Sequence, residues 1–227
     1  MNPYPDFPLV MALQNYMPVV FSAIGLIWVA QTIGAVNLSA GRLAFAGVAL
    51  IVLAGALKAT WKLAMAVARL DVPLFSQSLF PLIAPGFTLV AWSLFWSKRE
   101  PGRAVAWWPP VLISAVALLG AFALASTRPD RTWVFVLIGV STVANVALAS
   151  LLIHSALRQH NRLAASLFAL NLLITFALSG IAGMPNKPLE LHWTEQIIST
   201  VSNAGFAWAA WMLAHPGRTL LRAFPAQ

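Results

Sequence analysis

Leu43–Ala68 runs LAFAGVALIVLAGALKATWKLAMAVA, twenty-six residues in which Lys58 and Lys62 are the only charges. About 20 apolar residues wound as a helix cross the hydrocarbon core of a bilayer. A helix on the surface of a soluble domain would show a polar face instead. The first fifteen residues of the stretch, Leu43 to Leu57, offer none. Six other stretches have the same length and character: Leu9–Ile33, Leu74–Trp96, Ala104–Ala125, Trp133–Leu157, Leu163–Met184 and Trp193–Ala214. The expected fold class is therefore all-α, a polytopic transmembrane bundle of about seven spans forming a single integral membrane domain over residues 1–227.

The whole composition agrees with this reading. Of 227 residues, 60% are hydrophobic and only 9% charged, against about 25% charged in a soluble domain. Mean hydropathy is +0.80. The segments between the stretches are short and built from turn formers. They include Asn37-Leu-Ser-Ala-Gly41, Asp71-Val-Pro73, the charged turns Lys98–Arg103 and Thr127–Arg131, the joint Arg158–Arg162, and the longest, Gly183–Glu190.

Net charge is +8. Between apolar spans, basic residues set topology and meet anionic headgroups, so membrane lipids are the expected partner and nucleic acid is not. Arg42, Lys98, Arg99, Arg103, Arg158, Arg162, Arg218 and Arg222 fall on one side, and Arg69, Arg128, Arg131 and Lys187 on the other. That bias predicts N-out and C-in. Met1–Pro8 carries no cationic region or cleavage site of a signal peptide. Arginine outnumbers lysine ten to four and alanine is abundant, as in GC-rich bacterial genomes, so a bacterial inner membrane is the expected location.

Chemistry is sparse. With no cysteine, disulfides, thiolate metal sites, iron–sulfur ligation and cysteine nucleophiles are excluded. Three of the four histidines lie at or beyond span ends, which argues against bis-His haem ligation. The seventh stretch has no lysine for a retinal Schiff base. No cofactor and no catalytic residue is expected. His192 and Glu195, spaced i, i+3, form a weak candidate metal or acid/base pair, but two ligands do not make a site.

The polar residues inside the spans carry most of the functional information. Lys58 and Lys62 lie one turn apart on the second stretch, where a charge in the bilayer usually faces protein or water. Glu195, at the head of the seventh stretch, is the expected partner of Lys58. Gln196, Ser199 and Asn203 continue inward from it on one face. Asn171, Thr175 and Ser179 make an i, i+4, i+8 line on the sixth, Asn145 lies near the middle of the fifth, and Gln14, Asn15 and Gln77 lie in outer halves. Eight of the ten tryptophans fall near span ends, as an aromatic belt does. Trp28 and Trp208 lie deeper and are candidates for lining a pocket. Pro18, Pro81 and Pro85 lie inside apolar stretches and should kink them. Gly47, Gly55, Gly139 and Gly205 are candidates for close helix approach.

Convergence of these groups would make an outward polar pocket, roofed by Trp193 and the Gly183–Glu190 loop. Candidate ligand-binding residues are Lys58, Lys62, Glu195, Gln196, Ser199, Asn203, Asn171, Thr175, Gln14, Asn15, Trp28 and Trp208. Three function classes fit: a sensor or transport-type protein binding a small or amphipathic ligand, a non-catalytic accessory subunit of a larger membrane complex or homo-oligomer, and a membrane-embedded lipid-modifying enzyme. The third asks for more polar groups than the spans supply.

Overall fold

The structure, a computed structural model, describes residues 8–128, 130–182 and 189–215. Every regular element among them is helical: α1 (Leu9–Gln14), α2 (Tyr16–Val36), α3 (Leu38–Ala68), α4 (Pro73–Gln77), α5 (Leu79–Arg99), α6 (Trp108–Thr127), α7 (Trp133–Arg158), α8 (Arg162–Ala182) and α9 (Leu189–Ala214). Taken with α1–α2 and α4–α5 each as one rod, seven rods are long and apolar enough to cross a membrane.

Both broken rods fail where proline dictates. Proline has no N–H to offer the carbonyl four residues back, and its ring collides with that carbonyl. Four residues before Pro18 is Gln14, where α1 ends; four before Pro81 is Gln77, where α4 ends. At the first break the Asn15 side chain folds back to donate to Met11 O at 2.6 Å, reinforcing the 3.2 Å bond that carbonyl accepts from Asn15 N and closing the last turn of α1. Pro109 and Pro110 lie in the first turn of α6, where a missing N–H costs nothing.

The rods run a few residues past the expected limits at several ends, α6 starts four residues later, at Trp108, and at α3 a side-chain cap sets the start. Asn37 accepts from Ala40 N at 3.1 Å and so starts α3 at Leu38, five residues before the apolar stretch begins. The same side chain donates to the carbonyl of Arg103 at 2.7 Å, while Ser39 Oγ accepts from Val105 N at 2.8 Å. The α2–α3 turn is thereby tied to the segment after α5. The seventh rod starts at Leu189, not Trp193, so Glu190, His192 and Glu195 are all helical. Met184, Lys187, Arg218, Arg222, the N-terminal residues 1–7 and most of the expected roofing loop lie outside the described residues.

Six rods close into a ring. In spatial order, α2 packs on α3, α3 on α5, α5 on α7, α7 on α8, α8 on α9, and α9 returns to α2. The α6 rod stays outside, packed chiefly on its neighbours α5 and α7. Backbones approach closely where α3 crosses α5. A Cβ on Gly47 would stand 2.6 Å from Gly86 O, and one on Gly86 would stand 2.9 Å from Gly47 O, so only glycine lets these backbones meet. Gly55 is similarly close to Val19, and Gly205 is in ordinary contact with Leu167. Gly139 is not a contact point: a Cβ there would meet nothing within 4 Å. The main core, including Leu26, Val29, Ile51, Val90, Leu148, Leu152 and Phe168, fills the ring from its middle toward the end that carries Asn37.

Candidate functional site

The ring encloses a cavity of about 420 Å³. All six ring rods contribute to its wall and α6 contributes nothing. Its apolar part comes from Pro18, Val19, Leu26, Ile51, Val52, Ile83, Phe87, Leu148, Phe168 and Phe206, among others. Phe168 and Phe206 meet edge to face, with ring centroids 5.6 Å apart. The polar part is Ser22 on α2, Asn145 on α7, Asn171, Thr175 and Ser179 on α8, and Ser199 and Asn203 on α9. Among the described residues, no charged side chain lines it. Thr175 and Ser179 line it and are exposed, so the opening lies on the α8 side.

Hydrogen bonding fixes what this wall offers. Thr175 donates to Asn171 O at 2.8 Å and Ser179 to Thr175 O at 2.7 Å, so both hydroxyl protons are committed to their own helix. Asn203 donates to Ser199 O at 2.8 Å, and Asn171 donates across to Ser202 Oγ at 2.8 Å. The lone pairs of these hydroxyls and the amide oxygens of Asn171 and Asn203 remain for a guest. Among the described residues, the Asn145 amide makes no hydrogen bond at all, yet no deeply buried side-chain nitrogen or oxygen is left without a partner. The cavity is therefore what keeps this amide accessible. The surface is neutral, rich in acceptors, and carries a free amide on one wall.

Of the residues expected from the sequence, Asn171, Thr175, Ser199 and Asn203 come together here. The others do not line the cavity. Gln14, Asn15 and Lys62 form a polar cluster at the end of the ring nearest the α1–α2 break. Gln14 donates to Thr200 Oγ1 at 3.1 Å, Lys62 donates to Asn15 Oδ1 at 2.7 Å, and Tyr16 shares a 2.9 Å bond with Thr60. Lys58 is not paired with Glu195. Its ammonium sits 4.2 Å from the centroid of the Trp61 ring, whose indole N–H donates to Asp71 Oδ1 at 2.8 Å. The aromatic face meets the cation and the carboxylate lies beyond it, a geometry that sequence spacing alone hides because Asp71 belongs to the following loop.

Glu195 lies 3.8 Å from His192, an ion pair when the imidazole is protonated. Among the described residues, no group of three or more His, Cys, Asp or Glu is placed to hold a metal ion. The Gln196 carbonyl accepts from Thr200 at 2.8 Å. Trp28 turns toward the other end of the ring and meets His215 edge-on, with centroids 4.9 Å apart. Trp208 is 49% exposed on the outer surface. Trp28 packs against the core beyond the cavity while Trp208 faces outward, a difference that depth in a stretch does not encode.

A second cavity, about 440 Å³, lies at the Asn37 end. It is lined by Val29, Ile33 and Val36 of α2, Leu94, Ser97 and Lys98 of α5, Leu152, Ser155 and Arg158 of α7 and Leu213 of α9, with Thr32, Pro101 and Gln159 completing it. Leu152 lines both cavities. Comparison with family models, with curated proteins and with solved structures finds no match for this chain.

Proposed function

We propose that the chain is a multi-pass integral membrane protein, N-out and C-in, whose ring takes a small neutral amphipathic ligand from the outer half of the bilayer, in a sensor or transport-type role. The single observation that carries this is the neutral, acceptor-rich cavity into which the free amide of Asn145 faces. An unpaired amide in a dry apolar core would cost about 1–3 kcal/mol, and such sites persist where a guest meets them. Specific pockets elsewhere have this make-up, largely apolar with a few convergent polar groups. Among the described residues, Arg42, Lys98, Arg99, Arg103, Arg158 and Arg162 stand at the Asn37 end against Arg69, Arg128 and Arg131 at the other, which supports the orientation. From its place in the sequence, Lys58 would attract an anionic or carbonyl-bearing ligand. With Lys58 on Trp61, the ligand class moves to a neutral hydrogen-bond donor.

Thermal unfolding of the purified chain in neutral detergent tests this, with hexanamide, hexanoate and methyl hexanoate as probes. A binder of the native state raises stability by RT ln(1 + [L]/Kd). Hexanamide should give a saturable rise in Tm that hexanoate and methyl hexanoate do not, and Asn145→Leu should abolish it without lowering the unliganded Tm. Equal shifts from all three probes, or a rise that survives Asn145→Leu, would refute the assignment.

A further inference from the structure

We propose that the cavity at the Asn37 end is a binding site for a phosphate-bearing anion, with Lys98 and Arg158 as its cationic pair. The inference is independent of the ligand proposed for the outer cavity.

Lys98 closes α5 and Arg158 closes α7, and the packing of these two rods brings both cations to one pocket. Among the described residues, no acidic side chain lines that pocket. Arg158 makes no hydrogen bond or ion pair among the described residues, whereas Arg103 of the neighbouring turn has Glu100 at 3.6 Å. Lys98 donates to Leu151 O at 2.9 Å and to Ser155 Oγ. An ammonium carries three protons, so one donor remains. Two like charges gathered over one cavity repel unless an anion lies between them. Guanidinium and ammonium groups are the residue types that hold phosphate, the first as a fork and the second as a point charge.

The rest of the wall says what else the ligand carries. Ile33, Leu94, Leu152 and Leu213 form an apolar floor beneath the cations. A phosphate with hydrocarbon attached fits such a pocket at the level of the headgroups, and basic pockets between helices elsewhere take lipid headgroups in this way. A free phosphate would use the cations alone. Basic residues that merely set topology would share the attraction evenly among neighbours. Arg99, adjacent in sequence but outside the pocket and lying over Phe95, provides that comparison.

Native mass spectrometry of the full chain in neutral detergent decides the matter, with phosphatidylglycerol, phosphatidylcholine and inorganic phosphate as probes. Phosphatidylglycerol should be retained in preference to phosphatidylcholine. Arg158→Gln should weaken retention about tenfold, as loss of one charge-assisted contact does, Arg158→Lys should keep most of it, and Arg99→Gln should change nothing. Because Arg158 makes no structural bond, its loss leaves the fold intact, and an unchanged Tm verifies this. If inorganic phosphate displaces the lipid, or binds in its place with the same dependence on Arg158, the anion site stands and its ligand is the soluble one. Equal retention of the two lipids without phosphate binding, or equal weakening by Arg99→Gln and Arg158→Gln, would overturn the proposal.

Discussion

Asn37 shows how much one side chain does in an apolar chain. It is 7% exposed, caps α3 through its oxygen, and holds the segment after α5 through its amide nitrogen. Asn37→Ala removes the cap, worth about 1 kcal/mol, and the tie to the Arg103 carbonyl, a hydrogen bond worth about 0.5–1.5 kcal/mol net. The expected loss is roughly 1.5–2.5 kcal/mol by these terms, seen as an early transition in thermal unfolding in detergent, while Asn37→Asp, which keeps only the capping oxygen, should recover about half. Equal stability of Asn37→Ala and the natural chain would show that these bonds are dispensable. At this scale the sequence was informative where spacing carried the signal. Asn171 and Thr175, and Ser199 and Asn203, share helical faces four residues apart, and those faces do reach the cavity. Lys58 was misread because its partner is an aromatic face on its own helix, and no spacing rule ranks that above a carboxylate at matching depth.

At the scale of the element, the existence of the rods and two of their breaks were legible in the chain, while their limits moved by up to five residues, as at Leu38 against Leu43. Long runs with little charge fix the rods, and Pro18 and Pro81 mark breaks at the residue four positions upstream, whereas Pro85, also expected to kink its stretch, sits inside an unbroken α5. Which face of each rod turns inward was not legible. Lipid and protein core are equally apolar, so a rod between them carries little of the amphipathic pattern that orients helices in water. Gly47 and Gly139 look alike in sequence, yet the first touches the backbone of α5 and the second touches nothing. Gly47→Leu should therefore destabilise the chain by about 1–3 kcal/mol through overpacking, and Gly139→Leu should be near neutral. Unfolding of both variants under the same detergent conditions checks the contrast, and equal effects would place the α3–α5 crossing elsewhere.

The whole molecule is a ring of six rods with a seventh outside it. Its outer surface displays Val116, Leu119 and Phe122 on α6 and Val143 on α7, each more than 60% exposed. Exposed to water, continuous apolar surface of this kind would drive association, and a bilayer removes the cost. The order of the ring and the exclusion of α6 depend on pairwise packing through small residues such as Gly47 and Gly86, a property of shape that composition does not encode. That is also why the outer polar groups of α1, α3 and α9 join one another at the end of the ring, while those of α7, α8 and α9 surround its interior.

The chain has no cysteine, so single thiols report their surroundings without interference. Asn145 and Val143 lie two residues apart on α7, one on the cavity wall and the other 71% exposed on the outer face. The most direct measurement is labelling of Asn145→Cys and Val143→Cys by a membrane-impermeant thiol reagent added outside intact cells. Rapid labelling at 145 and none at 143 is the expected result, since one thiol would meet water in the ring and the other lipid. Labelling at 143 alone, at both positions alike, or at neither would contradict a bilayer-embedded ring with an outward polar interior.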